Sequence, residues 1–151
     1  MRVSAKADYA LRAGAELAAA AGGPLKGERI AQAQGIPLKF LENILLDLRH
    51  AGLVHSQRGA EGGYWLARPA AEVSLADVIR AVEGPIANVR GVRPEQVEYA
   101  GAAEALRDVW VALRASMRAV LEDVTLADLA GARLPTEVLE LTQDPEAWQP
   151  H

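Results

Sequence analysis

"IAQAQGIPLKFLENILLDLRHAGLVHSQRGAEGGYWLARP", residues 30–69, carries three elements in a fixed order. Ile30 and Ala31 form the apolar side of a short helix that stops at Gly35. Ile36 opens a tight turn, and Pro37 suits the first turn of a new helix, where its missing N–H costs nothing. In that second helix Leu41, Ile44, Leu45 and Leu48 recur at helical spacing and make one apolar stripe, which Gly52 ends. Two helices joined by a short turn containing Gly are the sequence form of helix-turn-helix, and small Ala31 lets them approach closely. Any αα-hairpin gives a similar pattern, so the continuation matters. Val54 to Gln57 and Tyr64 to Ala67 suit strands. Gly59, Gly62 and Gly63 between them permit a sharp reversal. A hairpin placed directly after a helix-turn-helix predicts a winged helix.

The face opposite the apolar stripe points to a partner. Lys39, Phe40, Glu42 and Asn43 fall at the N-terminal end of the second helix. In such motifs that end meets base edges in the major groove. Asn matches adenine, Glu matches cytosine, and Lys reaches guanine or phosphate. Arg58 stands where a guanidinium enters a minor groove and senses its width, with Gly62 and Gly63 letting the wing tip pass close to the DNA backbone. Singly, each of these residues reads equally well as solvated surface. As a set next to a wing they form a candidate DNA-binding face. Tyr64 and Trp65 alternate across a strand, so at least one should pack inward.

On the N-terminal side, Ser4 is a good N-cap for a first helix reaching about Ala21, with Lys6 and Tyr9 on one face near its start. Asp8, Arg12 and Glu16 interrupt any signal-peptide apolar core. On the C-terminal side, Ser74 and Asp77 have capping-box spacing, and Val78, Ile79 and Val82 should pack back on the winged helix. Residues 85–101 lack a period and read as a loop. Leu106, Trp110, Leu113, Met117, Val120 and Val124 then follow at alternating spacings of four and three, a heptad seam. The seam reads as a dimerisation helix, and a helix covering its own domain's core is the other reading. Thr125 in "TLAD" repeats the capping pattern. The expected organisation is a DNA-binding domain at 1–84, a loop at 85–101, a dimerisation region at 102–130 and a tail at 131–151.

Bulk properties bound the function. None of the 151 residues is cysteine, which excludes disulfides, zinc-thiolate sites, a thiol nucleophile and the usual ligands of an iron–sulfur cluster. No apolar run spans a bilayer, so a soluble, cytoplasmic protein is expected. His50, His55 and His151 have no metal-ligand spacing, and no nucleophile–base set is present, so neither catalytic nor metal residues are assigned. The net charge of −4 hides an asymmetry. Residues 1–69 hold nine Lys and Arg against six Asp and Glu, a net +3, whereas residues 70–151 hold seven against fourteen, a net −7. A basic head on an acidic remainder is the charge distribution expected of a chain that meets DNA with one end only.

Four ordered stretches, "MRVSAKADYALRAG", "IAQAQGIPLKFLENILLDLRHAGLV", "SQRGAEGGYWLARP" and "SLADVIRAVEG", resemble the Rrf2 family of winged-helix transcriptional regulators. The resemblance is close over residues 1–84 and looser over the long helix. It implies a mostly α fold and a homodimer with two winged-helix heads and a crossed pair of long helices. It also implies DNA contacts matching Lys39 to Asn43 and Arg58, with Lys6 and Tyr9 holding phosphates. Cluster-binding members carry three loop cysteines six positions apart, where this chain has Gly91, Val97 and Ala103. The chain thus resembles a cysteine-free branch, with no cofactor expected. The reading is a sequence-specific regulator that binds double-stranded DNA, a repressor acting as a homodimer on an inverted-repeat operator. The alternatives are a winged-helix protein-interaction module or a sensor of an unidentified small molecule.

Overall fold

The computed structural model describes residues 1–151. Helix α1 (Ala5–Ala19) starts at Ser4, whose hydroxyl accepts the Ala7 N–H at 3.0 Å. Its buried face is Ala7, Ala10, Ala13, Gly14 and Leu17, mostly small side chains that let neighbours come close. Helices α2 (Gly27–Gln34) and α3 (Leu38–His50) form the expected helix-turn-helix. Gly35 takes φ +63, and both its N–H and that of Ile36 return to the Ala31 carbonyl. A Cβ at Gly35 would touch nothing, so the left-handed backbone is what calls for glycine there. The predicted stripe of Leu41, Ile44, Leu45 and Leu48 is fully buried and packs with Leu17 and Ile30.

Strands β1 (Val54–Gln57) and β2 (Gly63–Leu66) pair antiparallel, Val54 opposite Leu66 and Gln57 opposite Gly63. The second strand is set one residue earlier than the sequence suggests, because Gly63 itself pairs with Gln57. Leu25 adds a bridge from outside the hairpin, exchanging two backbone hydrogen bonds with Tyr64 at 2.8 and 2.9 Å. Tyr64 packs on the core, while Trp65 stays half-buried, its ring 6.0 Å from that of His55.

Helix α4 (Leu75–Glu83) opens with a reciprocal capping box between Ser74 and Asp77. Val78 and Val82 join the core as expected, but Ile79 is only half-buried and lines a cleft facing the next long helix. The loop that follows is not featureless. It holds 3-10 turns at Pro94–Gln96 and Gly101–Ala103, anchored by buried Ile86, Pro94 and Val97. Helix α5 (Leu106–Leu121) has no buried residue at all. Leu106, Trp110, Leu113, Met117 and Val120 are half-buried, and Val109 is 54% exposed.

Val124 departs from the expected seam. Helix α5 ends at Leu121, and Val124 is buried beyond it, its carbonyl accepting the Leu75 N–H at 2.9 Å. The Leu126 N–H donates to the Val73 carbonyl at 2.9 Å, so residues 73–75 and 124–126 form a short antiparallel bridge. Thr125 and Asp128 form a second capping box, opening α6 (Leu126–Ala130). This helix packs on α1, where Leu126 Cδ2 lies 2.9 Å from where a Cβ on Gly14 would be. Residues assigned by sequence to the dimerisation region at 102–130 therefore include part of the winged-helix core. Helix α7 (Thr136–Leu141) and a final turn at Pro145–Trp148 complete the chain.

Candidate nucleic-acid interface

The outer side of α3 follows from its inner side. With Leu41, Ile44, Leu45 and Leu48 inward, helical geometry turns Lys39, Phe40, Glu42 and Asn43 outward, and all four are exposed. Leu46, also exposed, extends this face. Between α3 and the hairpin lies a cleft of about 620 Å³ lined by Glu42, Asn43, Arg49, Gln57, Arg58 and Lys26 among others. The structure thus brings Glu42, Asn43 and Arg58 together. Lys39 and Phe40 do not line the cleft, and Phe40 lies on the side of α1. There Phe40 meets Tyr9 edge-on, ring centroids 5.6 Å apart.

The α1 flank is held by polar contacts. The Arg12 guanidinium lies over the Tyr9 ring, 4.7 Å from its centroid, and donates to the Gln34 carbonyl at 2.8 Å. That bond satisfies an end carbonyl of α2 and fixes the turn against α1. Lys6 Nζ lies 2.7 Å from Asp47 on α3, a partly exposed pair.

At the wing, Arg58 is exposed and forms no ion pair, and the same holds for Lys39 and Arg49. Arg49 instead donates to Ser56 at 3.1 Å, bracing the first strand on α3. Lys26 donates to the Gly59 carbonyl and ties the wing tip to the start of α2. Sequence reasoning passed over Lys26 and Arg49, whose partners are a backbone carbonyl and a hydroxyl that only the fold brings near, and over Arg12, which pairs locally with Asp8 at 3.1 Å but reaches the Gln34 carbonyl only in the fold.

Gly62 and Gly63 have a structural reason of their own to be glycine. Both are buried and neither faces outward. A Cβ on Gly62 would overlap the Gln57 carbonyl, and one on Gly63, at φ +149, would lie 2.8 Å from the Leu25 carbonyl oxygen. They are glycine because the protein's own backbone fills the space a side chain would need. Gly62→Ala is expected to cost about 1–3 kcal/mol of local stability through forced backbone strain. Amide hydrogen exchange would show it as faster exchange at the tip, with the helical signal unchanged.

Comparison with known proteins places this geometry. The sequence pattern of the Rrf2 family, described as an iron-dependent transcriptional regulator, matches residues 3–132. An HTH-type transcriptional regulator of Mycobacterium tuberculosis is 55% identical over 150 residues, covering 99% of this chain and 93% of the relative. The HTH-type transcriptional regulator CymR of Bacillus subtilis is 38% identical over 131 residues, 86% of this chain and 90% of that protein. The solved structure of B. subtilis CymR, the global cysteine regulator, has a TM-score of 0.74 at 37% identity and covers 87% of this chain and 98% of that one. The T. potens IscR structure gives 0.69 at 31% identity, covering 100% and 93%.

A thiolate-held iron centre does not fit this chain. The loop positions Gly91, Val97 and Ala103 offer no ligating side chain, and Val97 is spent on packing. No group of three or more His, Asp or Glu side chains converges anywhere.

Proposed function

The chain belongs to the Rrf2 family of DNA-binding transcriptional regulators and is not an enzyme, and from this we propose that it is a homodimeric repressor acting on an inverted-repeat operator. The observation that carries the proposal is the outward half of α3 standing beside a wing whose Arg58 has no ion partner. In the bound state α3 presents Lys39, Glu42 and Asn43 to the major groove, and Arg58 enters the adjoining minor groove. Lys6 exchanges Asp47 for a phosphate, and Tyr9 and Phe40 brace the approach of α1. Binding by mass action in the cytoplasm then excludes polymerase from the promoter. No helix of the chain is long and apolar enough to cross a membrane.

The two cations should separate in a binding assay. Arg58→Ala is expected to weaken binding by about 1–3 kcal/mol, most on operators with narrow A·T-rich flanks. Lys6→Ala is expected to lose affinity equally on every sequence and to lower the salt slope by about one. Fluorescence anisotropy on a selected operator and on flank-swapped versions, at several salt concentrations, reads both. Wild-type affinity for Arg58→Ala on all of these sites would remove the wing from the interface.

A further inference from the structure

Between α4, the loop that follows it and α5 lies a cavity of different character. It measures about 410 Å³ and is lined by Arg80, Arg93, Arg114, Arg118, Asn88 and Glu95 among others, with Ile86 its one hydrophobic member. The arginines come from three elements: Arg80 from α4, Arg93 from the loop, and Arg114 and Arg118 from α5. None of the lining residues belongs to α3 or the wing.

The local charges do not balance. Glu95 pairs with Arg114, and Glu122 accepts from both Arg80 and Arg118. Asp77 lies 3.8 Å from Arg80 but also 3.8 Å from Arg68. Arg93 has no ion pair. Four guanidiniums thus meet around one cavity with fewer carboxylates than charges. Both carboxyls titrate below the usual range. Glu95 is held there by a backbone hydrogen bond and by Arg114, and Glu122 by hydrogen bonds from Arg80 and then Arg118. They stay ionised, and the excess positive charge persists.

Packing alone does not account for this cluster. Arg114 is only 20% exposed, so its guanidinium is drawn into the wall and away from bulk water. Guanidinium forks match oxyanions in a bidentate geometry that a single lysine cannot copy. We propose that this cavity binds a small oxyanion carrying two negative charges. Bound there, the ligand would offset the mutual repulsion of the arginines and bridge α4 of the head to α5. The site is independent of the DNA face, and its occupancy can be read on the protein alone.

Isothermal titration of the full chain with sodium succinate and with sodium phosphate, each against sodium chloride at matched ionic strength, tests the proposal. A saturable heat with at least one divalent anion and none with chloride is expected, and which anion binds tells carboxylate from phosphate chemistry. Arg93→Gln removes an exposed, unpaired side chain and leaves the fold intact. It should weaken binding about tenfold or more, the loss of a charge-assisted hydrogen bond. Arg114→Gln should do likewise, whereas Arg107→Gln, on α5 but outside the cavity, should bind as wild type. No saturable heat with either anion overturns the proposal. So does unchanged affinity in both Arg93→Gln and Arg114→Gln, or an equal loss in Arg107→Gln.

Discussion

Leu126→Ala is expected to lower the free energy of unfolding by about 2–5 kcal/mol, the range for a large aliphatic side chain removed from a closed core. Leu126 is 1% exposed and lies in the same cluster as Leu17, Leu41 and Val78. Its methyl groups fill the notch that Gly14 leaves in α1, and that notch cannot close because α1 is already packed on α4. The backbone on either side is pinned to residues 73–75, so the cavity would persist. Leu141→Ala on α7 is the control. That side chain is 61% exposed, and its loss should fall within about 0.5 kcal/mol of zero. Urea denaturation of both variants at one protomer concentration makes the comparison, since assembly contributes to apparent stability. Equal, small losses would mean that α6 only leans on the head.

Val109→Glu combined with Leu113→Glu is expected to convert the protein to monomers and to cost about 10²–10⁴ in operator affinity, the avidity of two linked heads. A helix of sixteen residues with an apolar side and no buried residue has not finished burying its surface within its own chain. A cleft of about 630 Å³ runs along it, walled by Leu11, Ile79, Ile86, Trp110, Leu113 and Met117 among others. A second copy of α5 is the occupant proposed here. Val109 is mostly exposed in the single chain, so charging it costs the fold little, whereas a carboxylate inside a dimer interface is heavily penalised. Sedimentation velocity reads the assembly, and circular dichroism confirms that the helices remain. A dimer that survives both charges would place the interface elsewhere.

The head was legible in the sequence because its signals are local. The Ser4 cap, the Gly35 turn, the stripe in α3 and the two capping boxes at Ser74 and Thr125 each depend on a few neighbouring residues, and all are present. Three features depend on distant chain and carry no local signal. Heptad counting carried the seam to Val124, since periodicity cannot tell that the backbone there is already bonded to Leu75. Glycines at a hairpin tip suggested close approach to DNA, while the close approach at Gly63 is to Leu25, almost forty residues upstream in sequence. Ile79 looked like core by spacing and turned out to line the cleft beside α5. In the candidate site, α3 and Arg58 could be named from sequence because a helix-turn-helix fixes which end points outward. Lys26, Arg12 and the Lys6–Asp47 pair could not, because they join elements whose separation along the chain carries no periodic trace.

The bridge between residues 73–75 and 124–126 has a further meaning for the proposed dimer. The chain leaves the head through α4 and returns to it through α6, so α5 is moored at both ends and cannot swivel as a free arm would. Two heads joined through such arms present their reading helices at a set distance and a set rotational phase. One base pair added between half-sites displaces the far one by about 3.4 Å along the axis and turns it by about 35°. A rigid pair of heads cannot follow both changes. The length of the gap between half-sites would therefore be read as strictly as the bases themselves, and near-matches with the wrong gap would be rejected without any base contact being lost.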